Sequence, residues 1–233
     1  MRLSYVRNAL IIARRFVALL VLLVYPSTTV AGNVFADFPS HVDADASYVV
    51  YSHGLIVEGE NPTPVHPRWG TYDFPAIKAA LAEKGDFHLV AHHRSKGTDV
   101  SLYVERLSNW VRTLVEAGVA PERITLIGFS RGGEITARAS NQLRPLPINT
   151  ILLATCWERG VQDEPAITLT GRLLSIYETT DVALSCEKLA ERSGKLIDFE
   201  EVVISTGKEH GAFFRPDPSW VDPLLSWLRT LPL

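Results

Sequence analysis

Gly128-Phe129-Ser130-Arg131-Gly132 sets a hydroxyl between two glycines in the form G-x-S-x-G, and Gly133 follows. Residues 124–129 are apolar at nearly every position and run into this pentapeptide. A helical pattern over residues 131–143 runs out of it and stops at Pro145. A serine at such a junction must take a strained, positive-φ conformation, crowded by the residues two before and two after it. Glycine at 128 and 132 removes the clash. The hydroxyl then projects at the carboxyl end of a sheet, where ligands bind in open α/β folds. The chemistry on offer is nucleophilic attack on a carbonyl carbon. A tight turn without catalysis is the competing reading of the same glycines.

The surrounding pattern supplies a frame for that serine. Residues 47–51 form a short β-branched and aromatic run ended by His53-Gly54, and residues 87–91 form another ended by His92-His93-Arg94. Between them lie a proline-rich loop (Pro62, Pro64, Pro67) and a helix over residues 75–84, with Pro75 in its first turn and Gly85 past its end. Val104, Leu107, Val111, Leu114 and Val115 recur at three- and four-residue steps, the apolar stripe of a helix that Thr98 or Asp99 caps and Gly118 closes. Further strands are predicted over residues 150–154, 172–177 and 200–204, and helices over residues 185–192 and 220–231. Strands alternating with helices imply right-handed crossovers, so the predicted fold is a three-layer α/β/α sandwich around a mostly parallel sheet, in one domain.

With the G-x-S-x-G turn in that setting, the mature chain resembles the α/β-hydrolase family over nearly all of its length. The resemblance implies the order Ser, then Asp or Glu, then His, with the acid after a late strand and the histidine after the last one. Asp181 follows the strand ending at Tyr177, and His210 follows the strand ending at Ile204. These are the implied orienting acid and general base for Ser130. Glu178 is a rival acid, but it sits nearer its strand and reaches less readily towards the histidine loop. Of the other histidines, His41 lies near the processed end, His66 in the proline-rich loop and His88 inside a strand, while His92 and His93 come too early.

The resemblance also implies an oxyanion hole from two backbone N–H groups: that of Arg131, after the nucleophile, and that of Leu55, after the early His53-Gly54 pair. Two departures stand out. The strands that usually open the family fold are not evident, and the stretch between residues 154 and 172 is too short for a cap domain. The nucleophile should therefore be open to solvent, which favours short esters or chain ends over an enclosed lipid tail.

The 233 residues are 46% hydrophobic and 21% charged, with a formal net charge of −3 and no basic stripe, so a nucleic-acid partner is not expected. Arg2, Arg7, Arg14 and Arg15 precede the apolar residues 16–25, ended by Pro26 and followed by small residues. That is the pattern of a secretory signal over residues 1–36, cleaved after Ala31 or Ala36, of which Ala36 has the better small-x-Ala form in Val34-Phe35-Ala36, with the domain proper over residues 37–233. An uncleaved anchor is the alternative, though Arg14 and Arg15 split the stretch it would need. Once cleaved, the chain has no means of stable membrane insertion, and it is expected to be secreted or periplasmic. In such an oxidising compartment Cys156 and Cys186 can form one disulfide. No metal is expected at His88, His92 and His93, which lack ligand-spaced partners, and the five tryptophans read as core and cap residues.

These features together predict a cofactor-independent serine hydrolase acting on a small-molecule or chain-end ester. A thioesterase, an amidase or a peptidase would use the same side chains. A binding module that has lost catalysis is a reading of a different class, because fold alone does not set function. The sequence leaves the substrate and the oligomeric state open; specificity should lie in loops such as residues 58–72.

Overall fold

A computed structural model describes residues 33–231. Its central sheet has seven strands: β1 (Val34–Phe35), β2 (Tyr48–Ser52), β5 (His88–Val90), β6 (Ile124–Phe129), β7 (Asn149–Leu153), β8 (Thr170–Glu178) and β9 (Lys195–Ile204). A separate small hairpin pairs β3 (Val65–His66) with β4 (Gly70–Thr71). The sheet order is β1-β5-β2-β6-β7-β8-β9, and every pairing in it is parallel.

Alternate residues of each strand feed opposite layers, as the two-residue period of a strand demands. Val49 and Tyr51 point to the core beneath helices α1 (Phe74–Glu83) and α5 (Pro218–Leu228). Tyr48 and Val50 point to the core beneath α2 (Val100–Glu116) and α3 (Arg131–Gln142). A third apolar cluster, under α4 (Glu187–Arg192), holds Leu152, Leu173 and Leu189. The inner strands β2, β6 and β7 are buried on both faces, which is why they read as continuous apolar runs. Asp73 caps α1 by accepting from Ala76 N–H at 2.9 Å, and Asp99 caps α2 by accepting from Leu102 N–H at 2.9 Å.

Three differences from the sequence reading concern edges and loops. Val34–Phe35 joins the sheet, with Leu89 N–H donating to Asn33 O at 2.8 Å and Ala91 N–H to Phe35 O at 2.9 Å. The sequence pattern assigns these residues to the signal segment and begins the domain at residue 37, so the sheet starts earlier than expected. The proline-rich loop contains the β3/β4 hairpin, and β9 begins at Lys195, five residues before the expected start. Much of the extra stretch is exposed, so it lacks the apolar signal of the inner strands. Of the predicted signal segment, residues 1–32, with Ala31, lie outside the described residues, whereas residues 33–36, with Ala36, lie within them.

Candidate active site

The sharp turn after β6 sets Ser130 at φ 55° and ψ −119°, a rare conformation for a residue with a side chain. Two backbone bonds hold it there: Ser130 N–H donates to Leu153 O at 3.1 Å, and Glu134 N–H donates to Ser130 O at 3.0 Å. A Cβ on Gly128 would meet Gly132 O at 2.2 Å, and one on Gly132 would meet Ser52 O at 1.9 Å. Both glycines are therefore steric requirements of the turn. Conformations of this kind cost about 1–3 kcal/mol and persist where the surroundings over-determine them.

Asp181 and His210 meet from separate loops. Asp181 follows β8, its carboxylate 2% exposed, and Oδ2 accepts from His210 Nδ1–H at 2.7 Å. The other oxygen, Oδ1, accepts from Val182 N–H at 2.7 Å, which fixes the carboxylate plane. With Nδ1 committed to the carboxylate, His210 Nε2 has no hydrogen-bond partner among the described residues. His210 and Ser130 line the same cavity, of about 400 Å³. Among the described residues no hydrogen bond joins the Ser130 hydroxyl to the imidazole. Such contacts are often loose without substrate and tighten in the complex.

Glu178, the rival acid, makes no bond to His210. Its buried carboxylate braces the two loops instead. Oε2 accepts from Thr180 N–H at 2.7 Å and Thr180 Oγ1–H at 2.5 Å; Oε1 accepts from Thr206 N–H at 2.9 Å and Gly207 N–H at 3.0 Å. Burial alone would raise its carboxyl pKa, but these donors outweigh it and hold the group below the ordinary value. Contrary to the expectation that Glu178 falls short of the histidine loop, it reaches that loop at the Thr206 and Gly207 amides, but not the imidazole.

On the opposite wall, Gly54 precedes a 3₁₀ turn over Leu55–Val57. Neither the Leu55 amide nor the Arg131 amide has an acceptor among the described residues. The turn rests on His53, fully buried, whose Nδ1–H donates to Gly54 O at 2.8 Å and whose Nε2 accepts from Arg94 N–H at 2.9 Å. Burial first, and the nearby Arg94 guanidinium second, push the His53 pKa down to about 2, so the ring is neutral. Arg94, also fully buried, donates through Nη2 to His53 O and through Nε to Glu58 Oε1 at 3.2 Å. His93 Nε2–H donates to Val57 O at 2.6 Å. These residues are positioning residues for the turn; the sequence marked His53 by its place before Leu55, but showed His93 and Arg94 only as a polar strand end.

The cavity wall is aromatic. His66 and Trp69 from the loop over residues 58–72, Phe129 from the turn itself, Trp157 and Phe214 all line it. Trp220 and Trp227 are core residues on one face of α5, as expected, but Trp69 and Trp157 belong to the cavity. Trp69 Nε1–H donates to Glu209 Oε2 at 3.0 Å, and Arg68 pairs with the other oxygen of the same carboxylate, tying this wall to the residue before His210. A Cβ on Gly211 would lie 2.7 Å from the Trp69 Cβ, so Gly211 lets the two loops close. A disulfide joins Cys156 to Cys186, with Cα atoms 5.3 Å apart. With Leu184 N–H donating to Cys156 O at 2.9 Å, it fastens the segment after Asp181 to the one carrying Trp157.

Solved structures share this architecture. A hormone-sensitive lipase from a metagenome library is 17% identical, over 80% of this chain and 79% of its own, with a TM-score of 0.55. A mutant of the esterase E40 is 17% identical over 79% and 76%, with a TM-score of 0.57. A hydrolase from Thermoplasma acidophilum, described as predicted and CIB-like, is 15% identical over 82% and 90%, with a TM-score of 0.56. No family profile matches the chain, and no curated protein matches it. The parallel sheet, its two helical layers and these likenesses define the class: the chain has the α/β-hydrolase fold.

Proposed function

We propose that this chain is a serine hydrolase that cleaves a carboxylic ester without a cofactor. The observation that carries the reading is the 2.7 Å Asp181–His210 pair, whose imidazole opens on the cavity that also holds Ser130 at its strained turn. Ser130 Oγ attacks the carbonyl carbon while His210 Nε2 takes the hydroxyl proton. Asp181 keeps Nδ1 as the donor and supports the imidazolium. The Leu55 and Arg131 amides receive the oxyanion, each contributing about 3 kcal/mol in the transition state. His210 returns the proton to the leaving alcohol, the acyl-enzyme forms, and a water activated by the same imidazole releases the acid. The esterase and lipase among the similar structures support this choice of reaction.

Panels of esters, thioesters and amides matched in acyl group test it. Ester turnover exceeding the other two, and lost in Ser130→Ala, is the expected result. Turnover undiminished in Ser130→Ala would end the proposal.

The chain is further proposed to be exported, since a disulfide fits an oxidising compartment and no helix among the described residues is long and apolar enough to cross a membrane. Cleavage after Ala36 would remove Asn33 to Phe35 and their two backbone bonds to β5, whereas cleavage after Ala31 keeps them. Amino-terminal sequencing of exported protein should read Gly-Asn-Val-Phe.

A further inference from the structure

We propose that the apolar cavity beside Ser130 is built for a planar aromatic ring carried on one side of the scissile ester. The inference rests on the reading of Ser130 as the nucleophile and names the substrate class of that site. Besides the His210 imidazole, five ring systems line the cavity, those of His66, Trp69, Phe129, Trp157 and Phe214. No Asp, Glu, Lys or Arg side chain is among its lining residues, so the cavity offers the entering group no ion-pair partner.

The rings are held in place before any ligand arrives. His66 stacks on Trp69 with centroids 4.1 Å apart and planes 15° from parallel. Trp69 meets Phe214 edge-on at 5.6 Å and 84°, and its Nε1–H is anchored on Glu209. Phe129 lies 4.7 Å from the His210 ring and meets Phe214 edge-on at 6.1 Å. Phe129 and Phe214, 1% and 2% exposed, back the wall, and the partly buried Trp69 and Trp157 leave the indole surface on which a ring can pair. Rigid walls of this kind lose little freedom when a flat ring enters. Leu55 and Val182 also line the cavity, at 51% and 80% exposure, so its solvent-facing side is apolar too.

Aromatic pairing adds to area burial by an amount worth roughly 2- to 12-fold in affinity. A saturated ring of the same carbon count carries more apolar surface, so it would bind tighter if burial alone decided. Benzylacetone and its saturated counterpart, cyclohexylethyl methyl ketone, separate the two effects. Both keep the carbonyl and neither has a leaving group, so each is read as a dissociation constant on the wild-type chain by calorimetry. The expected result is tighter binding of benzylacetone, by less than the roughly 12-fold that pairing alone could give, with the preference lost or reversed in Trp69→Leu or Trp157→Leu. Equal binding, tighter binding of the saturated ketone, or a ratio that survives both substitutions would overturn the proposal. Fluorophosphonate labelling of Ser130 in the same preparation reports on the nucleophile independently. Labelled protein without ring preference refutes the substrate class alone, and ring preference without labelling refutes the nucleophile alone.

Discussion

The neutral, buried His53 makes the stability of this protein depend on acid in a way that can be calculated. Its pKa falls from an ordinary 6.5 to about 2 in the folded chain, because burial and the Arg94 guanidinium both oppose the charged ring. The folded state therefore binds no proton at this site where the unfolded chain does. Stability is complete above the unfolded value of 6.5 and declines as the pH drops below it, flattening only near the folded value. Between about pH 7 and about pH 4.5 the loss from this one group is about 2.6 kcal/mol. In His53→Gln an amide oxygen can accept from Arg94 N–H without titrating. Urea unfolding followed by tryptophan fluorescence, at several pH values for both proteins, isolates the difference, since the carboxylates common to the two cancel. Wild type should lose about 2.6 kcal/mol more than the variant over that range. Parallel losses would mean that His53 titrates alike in both states, and the hydrogen-bonded neutral ring beneath the Leu55 turn would have to be abandoned.

Three further outcomes follow from the site. Asp181→Asn, which cannot hold the imidazole in the same tautomer, should lower kcat by about 10⁴-fold in a steady-state ester assay, with KM little changed. Glu178→Gln turns an amide NH₂ towards either Thr180 or the Thr206–Gly207 amides, leaving donors opposed, and should cost about 2 kcal/mol or more in denaturant unfolding. Because the native carboxyl is held below 4.5, that contribution is present above pH 4.5 and disappears as pH falls through the lowered value, so wild type and variant should converge in acid. Replacing both Cys156 and Cys186 by alanine, across a separation of 30 residues, should cost about 3–4 kcal/mol of stability. Thiol titration of unfolded, unreduced wild type should find no free cysteine.

The sequence made the fold's interior legible and its margins obscure. Inner strands such as residues 124–129 are buried on both faces and announce themselves as unbroken apolar runs. Val34–Phe35 and the first half of β9 lie at the two edges, where exposure dilutes that signal. The turn around Ser130 was readable because two glycines answer a local steric demand. Asp181 and His210 were placed by their order along the chain, and the structure brings the two together. By contrast, the role of Glu178 depends on amides 28 and 29 residues away, and that of Arg94 on a carbonyl 41 residues back. No local pattern encodes partners at those separations. Trp69 and Trp157 differ from core tryptophans only in what the folded loops leave uncovered.

Whether Ser130 is a nucleophile activated by the Asp181–His210 pair is tested most directly by intact mass after exposure to a fluorophosphonate. A single adduct on the folded wild-type chain, mapped to Ser130 by peptide mass, absent in Ser130→Ala and strongly slowed in His210→Ala, is the result expected. Folded wild-type protein that takes up no adduct, or an adduct that persists undiminished in Ser130→Ala, would contradict it.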